Sequence, residues 1–80
     1  MYFWSMNKNF QFTAIIEREG DGFVSLCPEL DIASQGNTIE EAKSNLKEAV
    51  EFFFEEASSK EIEQRFRQEV FITRLEVAIG

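Results

Sequence analysis

Residues 38–57, TIEEAKSNLKEAVEFFFEEA, have the pattern of one long amphipathic helix. Thr38 and Glu41 have the spacing of a capping box, in which each side chain accepts from a backbone N–H that the helix leaves unpaired. No Gly or Pro interrupts the stretch. Apolar residues recur at three- and four-residue steps and predict one buried stripe: Ile39, Ala42, Leu46, Ala49, Val50, Phe53 and Ala57. Such a helix needs a flat apolar partner surface, which we expect the rest of the chain to supply.

Two strands are predicted before the helix, at residues 10–18 and 23–27. The first alternates, with one buried face made of Phe10, Phe12, Ala14 and Ile16. Between the strands, the segment Glu19-Gly20-Asp21-Gly22 is typical of a hairpin turn.

A bend and a third strand lead into the helix. Pro28 has no N–H to donate and is expected to end the second strand, followed by a bend in which Leu30 turns inward. Residues 32–35 are predicted to form a short third strand, and Gly36 and Asn37 then turn the chain into the Thr38 cap.

Two further elements are predicted after the helix. Ser58 and Glu61 repeat the capping-box spacing, which indicates a second helix of about two turns within residues 58–68, held to the core by Ile62 and Phe66. Residues 69–79 are predicted to be the last strand. Because this strand has apolar residues on both faces, we expect the helix to cover one side and a neighbouring subunit the other.

The element order β-β-β-α-(α)-β predicts an α+β domain in two layers, with a meander sheet packed on one helix. Residues 10–80 are expected to form this single domain, and residues 1–9 an N-terminal extension. Met6 is an alternative start, so residues 1–5 are either a disordered extension or not translated.

Composition limits the choice of partners. Eighty residues, 44% of them hydrophobic, make one small core, and a homodimer or tetramer would bury more surface. A net charge of −7 argues against direct binding to nucleic acid or to an anionic membrane and favours a basic protein partner. A single cysteine, Cys27, fits a reducing cytosol, so a cytoplasmic location is expected.

Residues with catalytic potential are few. The chain has no His and one Cys, so we predict no metal site, no cofactor and no nucleophile, with Cys27 packed in a strand. Gly20-Asp21-Gly22 lacks the Lys-Ser/Thr of a phosphate loop. The acids fall at turns and on the helix face rather than at strand centres, so the protein is not expected to be an enzyme. The enzymatic alternative is a weak metal-dependent nuclease that uses Asp21 or Asp31.

Two acidic groups are candidate partner-binding residues. Glu48, Glu51 and Glu55 form a ridge on the predicted outer face of the helix, and Glu17, Glu19 and Asp21 lie at the hairpin. The plainer interpretation of the ridge is a solvated surface, and the more specific one is a docking stripe for a basic protein.

The motifs of residues 10–55, continuing into residues 70–79, resemble HicB-like antitoxins. The segments that carry the resemblance are residues 12–17, 22–24, 28–30, 34–38, 40–42 and 46–49. Within them, the residues with a structural role are Gly22, Pro28, Leu30, Gly36, Thr38, Glu41 and Ala42. Gly36 suits a tight strand-to-helix turn, and Ala42 allows close packing of the helix on the sheet.

The resemblance implies a reduced ribonuclease-H-like fold without its catalytic acids. It also implies a function, which is to bind and neutralise a small basic HicA-like toxin that cleaves mRNA. Full-length relatives often append a DNA-binding domain; we expect this chain to be a short form without one, for which the resemblance does not imply operon repression. The alternative hypothesis is an orphan oligomeric protein of the same fold that binds another protein, with no toxin and no catalysis.

Overall fold

A computed structural model describes residues 10–66 and 69–80 of the protein. Three strands come first, β1 (Ile15–Glu19), β2 (Gly22–Cys27) and β3 (Ile32–Gly36), followed by helices α1 (Ile39–Glu56) and α2 (Ser59–Arg65). The strands form one antiparallel sheet in the order β1-β2-β3, and α1 packs on it. The predicted α+β class and the antiparallel meander are therefore confirmed.

The predicted hairpin joins β1 and β2 through Gly20 and Asp21. Gly20 has a φ of 61°, the value that the first central residue of a tight II′-like hairpin turn requires. The predicted first strand begins five residues too early, because β1 starts only at Ile15. Its partner β2 ends at Cys27, before the proline, so residues 10–13 lie beyond the end of β2 and have no strand to pair with on that side.

The bend between β2 and β3 turns inward, as predicted. The backbone N–H groups of Leu30 and Asp31 both donate to the Cys27 carbonyl, at 3.3 and 2.8 Å. Leu30 is fully buried as a result. Asp31 closes the bend with a φ of 57°, in the left-handed region that aspartate tolerates better than most residues.

Helix α1 has the predicted bounds, and its cap differs in one detail. The Thr38 hydroxyl accepts from the Glu41 N–H at 3.0 Å, as a capping box requires. The Glu41 carboxylate, however, accepts from the N–H of Asn37 and not from that of Thr38. The box is therefore displaced by one residue and still satisfies two donors at the helix start.

The core lies between α1 and the sheet. Cys27, Leu30, Leu46 and Val50 form its buried centre, with Phe12, Ile32, Phe53, Phe54 and Phe66 packed around it. The buried Ser25 hydroxyl donates to the Ala42 carbonyl at 2.9 Å, which fixes β2 against the first turns of the helix. The predicted stripe holds except at Ile39, which is half exposed at the helix start.

Gly36 and Ala42 form a close contact between the two layers. A Cβ on Gly36 would lie 2.5 Å from the backbone nitrogen of Ala42, which is fully buried. The φ of Gly36 is not positive, so glycine is needed here for space rather than for an unusual turn conformation.

The predicted second helix is confirmed as α2, with a complete capping box between Ser58 and Glu61. The predicted last strand is absent: residues 69–80, called here the C-terminal arm, form no strand and are exposed except for half-buried Val70. A strand needs a neighbour, and no described strand lies beside the arm.

The prediction for residues 1–9 lies outside the described residues. No helix in the described ranges has the length and hydrophobicity needed to cross a bilayer.

Candidate protein-binding surface

The ridge predicted on α1 is exposed. Glu48, Glu51 and Glu55 all lie on the side of α1 that faces away from the sheet, opposite buried Leu46 and Val50. The ridge is not equally charged along its length, because the Lys47 ammonium lies 3.1 Å from the Glu51 carboxylate. Both side chains are well exposed, so this pair contributes little to stability. It offsets the charge of Glu51 and leaves Glu48 and Glu55 as the stronger acidic positions.

An exposed aromatic residue lies beside the ridge. Phe52 is 62% exposed, although its two neighbours Phe53 and Phe54 pack against the core. Glu48 is four residues before Phe52 and Glu55 is three residues after it, so both are its neighbours on the helix surface. We call Glu48, Glu51, Phe52 and Glu55 the α1 acidic face.

A shallow groove adjoins this face. Its volume is about 350 Å³, and it lies where α1, α2 and the start of β3 meet. Its lining is mostly apolar with charged groups at the margin: Ile32, Ala49, Phe52, Phe53, Glu56, Ala57, Glu61 and Arg65. Aromatic anchors and complementary charge are both features of protein interfaces, so this arrangement makes the groove a candidate protein-binding surface.

The one basic side chain of the groove is already engaged. The Arg65 guanidinium donates to the Leu30 carbonyl at 3.0 and 3.2 Å and to the Asp31 carbonyl at 3.0 Å, and it lies over the Phe53 ring. These contacts hold α2 against the bend that follows β2. Since the guanidinium is held there, it does not neutralise the carboxylates along the rest of the groove margin.

The hairpin acids lie elsewhere. Ile16 pairs with Ser25, whose side chain points toward α1, so Glu17 and Glu19 alternate to the opposite face of the sheet. Asp21 lies in the hairpin turn, near the N-terminal end of α1. The structure therefore does not bring Glu17, Glu19 and Asp21 together with the α1 acidic face, and one flat partner cannot cover both groups.

A second polar cluster joins residues 10–14 to the bend. The Glu29 carboxylate accepts from the Thr13 hydroxyl at 2.7 Å and from the Thr13 N–H at 3.0 Å. Partial burial would raise the pKa of Glu29, but the hydrogen bonds from Thr13 outweigh it and lower the pKa. The Cys27 thiol donates to the same carboxylate at 3.4 Å, and burial, together with Glu29, raises the pKa of Cys27.

This cluster has a structural role. A thiol with a raised pKa is a poor nucleophile, and Cys27 is fully buried.

Within the described ranges, no group of three or more His, Cys, Asp or Glu side chains could hold a metal ion. Asp21 and Asp31, the acids of the nuclease alternative, lie beyond opposite ends of β2, whose length is about 17 Å.

Sequence reasoning missed Phe52 and Glu56. The sequence feature that points to an exposed aromatic residue is the run Phe52-Phe53-Phe54. Three consecutive residues span about 200° of a helix and cannot all face one core. One of the three had to be exposed or to reach a second surface. The predicted stripe placed Phe53 inside and left Phe52 and Phe54 undecided; in the structure Phe54 packs against the core and Phe52 is exposed.

The fold and this surface together define a small two-layer α+β protein with an acidic, aromatic-bearing helix face. A UPF0150 protein of Helicobacter pylori is 32% identical to the chain over 68 residues, which is 84% of this chain and 94% of that protein. The UPF0150 protein ssl0738 of Synechocystis is 46% identical over 48 residues, covering 58% of this chain and 67% of that protein. The chain belongs to the UPF0150 family. No family model and no solved structure matches it.

Proposed function

We propose that the protein is an antitoxin-like module of the HicB-like group that binds and neutralises a small, basic, HicA-like toxin that cleaves mRNA. The motif resemblance of residues 10–55 suggests this function. The observation that carries the proposal is Phe52, exposed beside Glu48 and Glu55 at the margin of an apolar groove.

The mode of inhibition follows from charge and shape. A ribonuclease presents basic side chains where RNA phosphates bind, and an acidic helix face can occupy that surface in place of RNA. Phe52 would supply the desolvated anchor of the interface, and Glu48 and Glu55 would supply orientation and long-range attraction. Neither the anchoring by Phe52 nor the attraction by Glu48 and Glu55 requires a chemical reaction. The protein would therefore inhibit the toxin by covering its RNA-binding surface.

A second candidate function is an oligomeric protein of the same fold that binds another protein, with no toxin and no catalysis. The observation that favours it is the C-terminal arm, whose exposed apolar side chains suit self-association more than they suit a basic ribonuclease. The two candidates differ in whether a basic ribonuclease is inhibited.

The test is an RNA-cleavage assay with a small basic HicA-like toxin. We expect a stoichiometric amount of the protein to stop cleavage, and the variant Phe52→Ala to weaken binding by about 30-fold, as loss of a central aromatic anchor does. Ile39→Ala is the matched control, since it removes an apolar side chain that is also at least half exposed, from the other end of α1. Cleavage that continues undiminished beside an excess of folded protein would refute the proposal.

Two charge variants then locate the surface. Glu48→Gln/Glu51→Gln/Glu55→Gln and Glu17→Gln/Glu19→Gln/Asp21→Asn each remove three negative charges, from opposite layers of the domain. We expect the first to weaken toxin binding at least tenfold and the second to change it little. Equal losses would mean that net charge alone drives binding, and a larger loss for the second would place the interface at the hairpin.

A further inference from the structure

The C-terminal arm has the alternating apolar pattern of a β-strand, but no described strand is paired with it. Phe71, Leu75, Val77 and Ile79 fall on one face of an extended chain and are 87%, 85%, 62% and 93% exposed. Ile72, on the other face, is 54% exposed. Soluble monomers rarely leave so many neighbouring large apolar side chains in water.

The sheet has an edge that could accept this strand. In the order β1-β2-β3, β1 pairs on one side only, and no described strand lies along its outer edge. Helix α1 lies chiefly over β3 and β2 and contacts β1 least. The helix side of β1, next to Ile16, is therefore the least covered part of the inner sheet face.

We propose that two copies of the chain exchange their C-terminal arms, each arm adding as a fourth strand to the β1 edge of the other copy. Among the described residues the sheet has two edges, β1 and β3, and α1 covers β1 the less. A two-fold exchange pairs each arm with a β1 edge and closes the assembly at two copies. The more apolar face of the arm, which contains Phe71 and Leu75, packs on the helix side of β1.

The second face of the arm carries one positive and one negative side chain, Arg74 and Glu76. Arg74 shares that face with Ile72, and it would lie alongside Ile15, Glu17 and Glu19 on the outer face of β1. An arginine beside these glutamates is a favourable cross-strand neighbour and Glu76 an unfavourable one, so charge favours a register that places Arg74 nearest to them.

The area is sufficient for a stable dimer. The five exposed apolar side chains of the arm, at on the order of 100 Å² each, give about 1,000 Å² for two arms, and the surfaces that they cover give a similar amount. The total of about 2,000 Å² lies within the range of stable interfaces.

Sedimentation equilibrium on the full chain tests the exchange. We expect the wild-type mass to be at least twice 9.3 kDa and the variant Leu75→Glu/Val77→Glu to fall to the monomer mass. Its helical far-UV signal should be retained, because both side chains are exposed in the single copy and lie outside α1 and α2. Ile39→Glu is the control and should leave the wild-type mass unchanged. A monomeric wild-type protein, or an assembly that survives the arm variant, would overturn the proposal.

Cross-linking distinguishes exchange between copies from folding back onto the same copy. Chains with Glu17→Cys are mixed with chains carrying Arg74→Cys and treated with a short bismaleimide, with the buried Cys27 left in place. We expect cross-linked product at twice the chain mass in the mixture. If only a chain with both cysteines reacts, and does so internally, the arm covers its own β1 and the exchange is disproved. The result does not depend on the identity of any toxin.

Discussion

At the residue scale, Gly36 shows how a single hydrogen atom in place of a methyl group sets the distance between the two layers. The end of β3 lies against the first turn of α1, and a Cβ at position 36 would lie 2.5 Å from the Ala42 nitrogen and 2.9 Å from the Glu41 Cβ. The nearest obstacle is backbone, which cannot move without shifting the helix. Ser25, which donates to the Ala42 carbonyl, would be displaced by the same shift.

We therefore expect Gly36→Ala to lower the free energy of unfolding by about 1–3 kcal/mol, the usual cost of overpacking. Urea unfolding followed by far-UV circular dichroism measures it. Gly80→Ala, which meets nothing within 4 Å, is the control and should leave the midpoint unchanged. An unchanged midpoint for Gly36→Ala would contradict the close contact.

A second prediction at this scale concerns Glu29 and pH. Because the pKa of Glu29 is lower in the folded protein than when unfolded, its stabilising effect is complete above its ordinary pKa and is lost as the pH falls through the folded value. Removing the charge should cost about 1 kcal/mol at neutral pH, since the group is only partly buried. Glu29→Gln should thus be less stable than wild type at pH 7, with the difference shrinking toward pH 3.

Urea midpoints at pH 7, 5, 4 and 3 test this prediction. Glu63→Gln, an exposed change of the same kind on α2, is the control and should follow the wild-type curve. A Glu29→Gln curve parallel to wild type at all four pH values would show that the Thr13 contact contributes nothing.

At the element scale, α2 is a short helix that depends on a tertiary contact. Seven residues are too few for a helix to be stable alone, even with a complete capping box. Arg65 supplies the attachment through its hydrogen bonds to the Leu30 and Asp31 carbonyls. Phe66 adds ring contacts with Phe12 and Phe54 at 5.7 and 6.3 Å between centroids.

Arg65→Lys should loosen α2 while leaving α1 intact, because an ammonium cannot reproduce the planar fork of the guanidinium. We expect faster hydrogen exchange at the α2 amides and at Leu30 and Asp31, with α1 amides unchanged. Lys60→Arg, an exposed change elsewhere on α2, is the control. Unchanged exchange in α2 would mean that the aromatic contacts alone hold it.

At the scale of the whole molecule, most of the exposed apolar surface lies apart from the α1 acidic face, with Phe52 as the exception. The acids of α1 face solvent on one layer, and the exposed apolar side chains are concentrated in the C-terminal arm. This separation assigns the two proposed interactions to different surfaces, a basic partner at the helix and a second copy at the β1 edge. One protein can then engage both at once.

If the partner is basic, association should depend on ionic strength. We expect the association rate constant to fall about tenfold or more between 50 and 500 mM NaCl, with a smaller change in the dissociation rate. Stopped-flow mixing with the toxin measures both rates. The sedimentation mass of the protein alone should change little over the same range, because the arm interface is mainly apolar. An association rate indifferent to salt would argue against steering by the net charge.

The sequence by itself determined the elements whose signals are local. The α1 bounds, the hairpin turn at Gly20, the inward Leu30 and the α2 cap follow from periodicity, glycine conformation and side-chain capping, which act over a few neighbouring residues. Only the tertiary structure decided where β1 begins, which phenylalanine of 52–54 is exposed, and why position 36 must be glycine. It also left residues 69–80 unpaired, because an apolar strand pattern indicates a strand but does not supply the neighbouring chain that it must bond to.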